Sequence, residues 1–121
     1  PPREIAGSAK AILSDLEALG MVADEPVLFQ SQRHNAYQQS CQQLIETGLA
    51  YWCGCSRKDL PPTGIYPGTC RNGLPPGKTP RALRVRVSDV PLAFNDTLHG
   101  AQVNDLQSSI GDFVIQRADG M

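Results

Sequence analysis

Apolar side chains recur at Ile5, Ile12, Leu13, Leu16 and Leu19, with Ala9 in the gap, the one-sided spacing of a helix over residues 3–19. Pro2 suits its first turn and Gly20 its C-terminal cap. Val27-Leu28-Phe29 is a short apolar run that predicts a buried strand or an extended link. A second helix is predicted after Ser31, whose hydroxyl can cap it, with Tyr37, Cys41, Leu44 and Ile45 in one stripe and Gly48 at its end. Cys41 reads as a small buried hydrophobe in that stripe. Leu49-Ala50-Tyr51-Trp52 then predicts a short strand delivering the chain to Cys53.

From Pro61 to Pro80, six prolines and four glycines exclude both helix and central strand. That stretch is a linker or an irregular knot that something must hold. Beyond it, Leu83, Val85 and Val87 alternate with Arg84 and Arg86, predicting a half-buried strand whose basic side faces solvent or a partner. Phe94-Asn95-Asp96 reads as a strand end that turns, and Phe113-Val114-Ile115 as a further strand closed by Ala118-Asp119-Gly120. The mixture predicts an α/β fold, or α+β if the chain is a fragment.

Composition adds bounds. The chain has 121 residues, 40% hydrophobic and 19% charged, enough for one core or part of a larger one and too apolar for wholesale disorder. No apolar run reaches the roughly 20 residues of a membrane span, and no signal peptide opens the sequence. The start at Pro1 without Met and the end just after a turn signal are those expected of an internal piece of a longer protein.

Charge is distributed in blocks beneath a formal net charge of −1. Residues 57–86 hold Arg57, Lys58, Arg71, Lys78, Arg81, Arg84 and Arg86 against the single acid Asp59, and both flanking stretches are acidic. A basic middle fits a local polyanion contact, and equally a solvated loop beside a strand.

The cysteines carry the chemistry. Cys53-x-Cys55 and Cys70 lie in or beside the proline-glycine knot. Two thiolates one residue apart can point into one tetrahedral metal site, whereas a disulfide between them would close a strained ring. A structural zinc ion would supply on the order of 10 kcal/mol that this loop cannot obtain by burying apolar surface. A closed site wants four protein ligands. Spacing leaves the fourth open among Tyr66, His99, His34, Asp59 and a water.

Ser31-Gln32-Arg33 with Tyr37, then Gly48-Leu49-Ala50-Tyr51, then Cys53-x-Cys55-Ser56-Arg57, resemble the middle of class I glutamyl-type tRNA synthetases. Ile65-Tyr66-Pro67-Gly68-Thr69-Cys70-Arg71 narrows the resemblance to the shortened bacterial branch, the glutamyl-queuosine tRNA(Asp) synthetases. Gly111-Asp112-Phe113-Val114-Ile115-Gln116-Arg117-Ala118-Asp119-Gly120 is similar to that family's return into the catalytic sheet. The resemblance implies part of a Rossmann-like catalytic domain with a zinc-binding insertion. Residues 1–52 would be the helical part leading into a strand, 53–81 the insertion, and 82–121 strands returning to the catalytic sheet.

It also implies that Cys53, Cys55, Tyr66 and Cys70 hold one structural Zn²⁺. The implied parent is a cytoplasmic ligase that uses ATP and glutamate and acts on tRNA(Asp), completed by the remainder of its catalytic domain, with no membrane partner. The HIGH-like and KMSKS-like ATP signatures do not occur in these residues, so no catalytic residue is expected here and the piece alone should be inactive. Arg57, Lys58, Arg71, Arg84 and Arg86 would be phosphate contacts to RNA, positioning it without reading bases. Alternatives are a piece of an ordinary glutamyl-tRNA synthetase, or a free-standing zinc-stabilised RNA-binding module. His34, His99 and the pair Asp112 and Asp119 lack the partners that acid–base or metal chemistry needs. Tyr51 and Trp52 are expected to pack the knot rather than stack a base.

Overall fold

The computed structural model describes residues 5–120 of the chain. The chain divides into two compact units, Pro1–His34 and Asn35–Met121.

In the first unit, helix α1 spans Ser8–Ala18. It is shorter than its apolar pattern suggests, because Gly7 adopts a left-handed conformation that sets the entry; the expected first turn at Pro2–Glu4 lies outside the described residues. Its end is the anticipated one. Gly20 (φ 77°) donates to the Glu17 carbonyl and Met21 to that of Leu16, a paired closure that requires the left-handed residue between them. Ile12, Leu16 and Leu19 are exposed, and no residue of α1 is buried. Val27-Leu28-Phe29 forms no strand and is not buried. Ser31 caps nothing, since it sits inside a 3-10 turn, Gln30–Gln32.

Helix α2 runs His34–Glu46, with Cys41, Leu44 and Ile45 half-buried and Tyr37 more exposed. Strands β1 (Ala50–Cys53), β2 (Ala82–Val85) and β5 (Val114–Gln116) form an antiparallel sheet in the order β1-β2-β5. Between β2 and β5 lie β3 (Leu92–Asp96), β4 (Gly100–Asn104) and the short helix α3 (Leu106–Ser109). β3 and β4 make a separate hairpin, of which the sequence signalled only the Phe94-Asn95-Asp96 corner. Asp96 Oδ1 accepts the Leu98 and His99 amides at 2.8 and 2.7 Å and so closes its turn. Among the described residues no helix is long and apolar enough to cross a membrane.

One prediction holds by half: the apolar side of β2 is buried at Leu83 and Val87 as expected, but its basic side does not face solvent. The β1–β2 register pairs Tyr51 with Arg84 and Cys53 with Ala82, and directly paired residues share a face. That face is covered by the loop carrying Tyr66 and Cys70, which packs with Tyr51 and Cys53 into the core cluster. Arg84 is therefore turned inward and only 9% exposed, while Leu83 is buried on the other side. The basic side of β2 faces the knot, not solvent. Trp52, on the Leu83 side of the sheet, is 40% exposed and packs no knot; Tyr51 does.

Candidate metal centre

Cys53 ends β1, and the chain reverses so that Cys55 points back toward it. The Cys55 amide donates to Cys53 Sγ at 3.4 Å. Gly54 makes this reversal possible. A β-carbon there would stand 2.8 Å from the Thr79 carbonyl oxygen and 2.9 Å from Lys78 Cβ. Downstream, Ser56 and Asp59 close the 3-10 turn Arg57–Asp59, the Asp59 carboxylate accepting the Ser56 amide at 2.7 Å and its hydroxyl at 2.8 Å. Lys78 pairs with Asp59 at 2.9 Å, and Lys78 foremost, then Ser56, hold that carboxyl well below the usual carboxylate range.

Four donors converge. The sulfurs of Cys53, Cys55 and Cys70 all lie within 4.8 Å of one another, with 3.7 Å between Cys55 and Cys70. The Tyr66 hydroxyl oxygen stands 3.3 Å from Cys53 Sγ and 3.7 Å from Cys55 Sγ, and accepts the Cys70 amide at 2.8 Å. A tetrahedral ion with bonds of about 2.3 Å to sulfur and 2.0 Å to oxygen separates its sulfurs by about 3.8 Å, and oxygen from sulfur by about 3.5 Å. The Cys55–Cys70, Tyr66–Cys53 and Tyr66–Cys55 separations are close to those values, and the three cysteines could hold a metal ion. His34, His99 and Asp59 are not in the cluster. All four cysteines are free thiols, so no disulfide staples the knot.

The electrostatics favour anionic sulfur at one corner. Burial pushes the Cys53 thiol up, but the Tyr66 hydroxyl, the Cys55 amide and Arg84 outweigh it and bring the thiol down to about 7. Burial raises the Cys55 thiol, and burial with the neighbouring thiols raises the Tyr66 phenol. A divalent cation among them reverses that preference by stabilising the phenolate.

Behind the cluster stands Asp112, buried at 5% exposure. Its carboxylate accepts the Tyr51 hydroxyl at 2.5 Å and the Val87 amide at 2.9 Å, and pairs with Arg71 Nε at 3.2 Å. Its carbonyl accepts Arg84 Nη1 at 2.6 Å. The guanidinium of Arg84 lies 3.9 Å over the Tyr66 ring. Arg86 lies 5.2 Å over the Tyr51 ring and donates to the Arg71 carbonyl. Of the five basic residues expected to touch RNA, Arg71, Arg84 and Arg86 are thus engaged inside the protein, whereas Arg57 and Lys58 are exposed. Asp119 pairs with Arg117 at 2.7 Å and has no part in the cluster. The sequence showed Asp112 only as a carboxylate flanking a strand, its one signal being its place just before Phe113-Val114-Ile115.

Residues 1–62 match the model of the class I tRNA synthetases (E and Q), catalytic domain. The chain belongs to that family. Two curated relatives are the glutamyl-Q tRNA(Asp) synthetases of Chromobacterium violaceum, 46% identical, and Pseudomonas entomophila, 48% identical. The similarity covers 99% and 100% of this chain but 43% and 41% of those proteins, so the chain spans less than half of their length. Among solved structures, the glutamate tRNA ligase of Elizabethkingia meningosepticum is 25% identical with a TM-score of 0.73, over 99% of this chain and 30% of that one. The glutamate-tRNA synthetase of Elizabethkingia anophelis gives 25% and 0.74, over 99% and 31%. The mixed helix-and-strand arrangement is that of the synthetase catalytic domain, here in its α+β form.

Proposed function

We propose that the chain is part of an ATP-dependent ligase that activates glutamate and transfers it to the queuosine base of tRNA(Asp). The observation that carries this is identity of 46% over 99% of the chain to a protein bearing that name. In this reading residues 53–81 are an insertion, closed by zinc on Cys53, Cys55, Tyr66 and Cys70, and residues 82–121 lead back to the catalytic sheet. Four protein ligands leave no open coordination position, so the metal stiffens the loop and takes no part in bond making. Arg57 and Lys58, held outward on the turn that follows Cys55, are the proposed phosphate contacts. Removing both should flatten the salt dependence of tRNA binding by the full-length protein. The compartment of action is cytoplasmic, where thiols stay reduced.

The test is transfer of labelled glutamate by the full-length protein to tRNA(Asp) with and without queuosine. Labelling that needs both ATP and the modified base supports the reading. Labelling of tRNA(Glu) instead would assign the protein to ordinary glutamyl-tRNA synthetases, a second reading favoured by the likeness to the two Elizabethkingia structures. Metal content is checked separately. About one zinc per chain is expected, held less tightly after Tyr66→Phe.

A further inference from the structure

Arg84 occupies a position that elementary electrostatics makes expensive. It is 9% exposed, its Nε is buried with no hydrogen-bond partner, and among the described residues it makes no ion pair. Its Nη1 donates to a neutral acceptor, the Asp112 carbonyl. A guanidinium cannot shed its proton, so a buried one needs an anion nearby. The nearest carboxylate is occupied. Asp112 already serves Tyr51, Val87 and Arg71.

The missing anion lies on the same face of the sheet. Three thiolates and a phenolate around a dication leave a cluster of net charge about −2. Taking such a charge out of water is as costly as burying the arginine, and each cost is offset by the other. Arg84 covers the Tyr66 ring at 3.9 Å. Arg71 follows Cys70 directly and is tied to Asp112, and Arg86 is tied to the Arg71 carbonyl. Three guanidiniums set against one carboxylate leave a surplus of two positive charges, equal and opposite to that of the loaded cluster.

We propose that Arg84, supported by Arg71 and Arg86, is the counter-charge of the metal centre: a positioning residue that holds the loaded anionic cluster inside the protein. This rests on the reading of Cys53, Cys55, Tyr66 and Cys70 as zinc ligands. It assigns part of the basic middle segment to the metal rather than to RNA. It also gives a reason for arginine at this place in β2, where the hydrophobic alternation alone would allow any residue.

The experiment uses the full-length protein kept reduced. Zinc affinity is measured by competition with a chromogenic chelator for the unaltered protein, Arg84→Met, Arg84→Lys and, as a surface control, Arg57→Ala. Thiolate-to-cobalt absorption is recorded on the same proteins loaded with Co²⁺. Arg84→Met, which keeps the apolar stem and removes the charge, should weaken zinc binding about 10- to 100-fold and shift the cobalt bands. Arg84→Lys, which keeps the charge, should recover most of that loss, and Arg57→Ala should change neither readout. Unchanged affinity and spectrum in Arg84→Met overturn the proposal. So do equal losses in the Met and Lys variants, which would make the effect one of packing. If Arg84→Met does not fold, Arg84→Lys decides alone: affinity within about tenfold of the unaltered protein supports the counter-charge, and a larger loss overturns it. Failure of the unaltered protein to bind zinc removes the ligand reading itself, a result distinguishable from all of these.

Discussion

Replacing Asp112 tests whether the buried carboxylate ties the knot to the sheet. Its partners are the Tyr51 hydroxyl at 2.5 Å, the Val87 amide at 2.9 Å and Arg71 at 3.2 Å, and both Tyr51 and Val87 are buried. Asp112→Ala strands two buried donors that cannot reach water. A hydrogen bond to a charged acceptor contributes about 1.5–3 kcal/mol. The Arg71 pair is partly exposed, its side chain at 29%, and adds about 0.5 kcal/mol after screening. The expected loss is about 4 kcal/mol, or roughly 8–16 °C in Tm for a domain of 150–250 residues. Asp112→Asn keeps an oxygen for Val87 but loses the pair with Arg71, and should cost about 2 kcal/mol. Urea unfolding of the full-length protein measures both. Hydrogen exchange at the Val87 amide locates the effect, because that amide should lose protection in the Ala variant and keep it in the Asn variant. A cycle with Tyr51→Phe should give a coupling of about 1 kcal/mol. A cost below about 1 kcal/mol for Asp112→Ala, with the Val87 amide as protected as before, would refute the reasoning.

Gly111 meets Tyr66 in a parallel bridge at φ 67°, and a β-carbon there would lie 3.0 Å from Ile65 Cγ2 and 3.1 Å from the Tyr66 carbonyl oxygen. Gly111→Ala should cost about 2–3 kcal/mol in chemical denaturation. Gly64→Ala, at φ 75° with nothing within 4 Å, should cost only the backbone part of that, about 1 kcal/mol. Gly54→Ala, crowded by Thr79 and Lys78, should separate Cys53 from Cys55 and weaken zinc retention in the chelator assay, whereas Gly77→Ala, with open space around it, should not. Asp105 caps α3 by accepting the Ser108 amide at 3.1 Å, and Ser108 holds its carboxyl below the ordinary value of 3.8. The cap therefore contributes fully above about pH 4 and is lost as pH falls through the lowered value. An NMR titration should place the Asp105 midpoint below 3.8, and Ser108→Ala should raise it toward that value.

The cysteine cluster was legible in the sequence because a small loop draws its close neighbours from nearby positions, and Cys53, Cys55 and Cys70 fall in or beside one irregular stretch; spacing left the fourth donor open, and Tyr66 entered through the family resemblance. The helix stripes and the β1, β2 and β5 segments were legible from spacing and turn residues. What spacing does not carry is which side of a strand becomes the inside. Alternation groups Leu83 with Val85 and Val87, and Arg84 with Arg86, but either group can face a core if both faces are covered. Here both faces are partly covered, so the rule that arginines point outward failed at Arg84. The hairpin escaped for the opposite reason. Leu92 and Phe94 share a face with Asn104 and Gln102, and both strands are largely exposed, so neither carries a separated apolar face. Asp112 depends on partners 61 and 25 residues away in the chain, Tyr51 and Val87, a separation over which no local pattern operates.

The miss at Arg84 has a physical cause. Arginines on a strand look like a surface as long as the thiols opposite are counted as neutral. Counting the thiols as a metal-bound anionic cluster changes the sign of that inference, because a buried negative centre favours guanidiniums in its walls and makes their burial cheaper. The segment's positive charge then divides by position. Arg71, Arg84 and Arg86 are engaged inside the protein, while Arg57 and Lys58 are exposed on the turn after Cys55, the two that the proposed function assigns to a phosphate partner. Charge content alone could not separate the inward arginines from the exposed ones; for Arg84 the pairing with Tyr51 does.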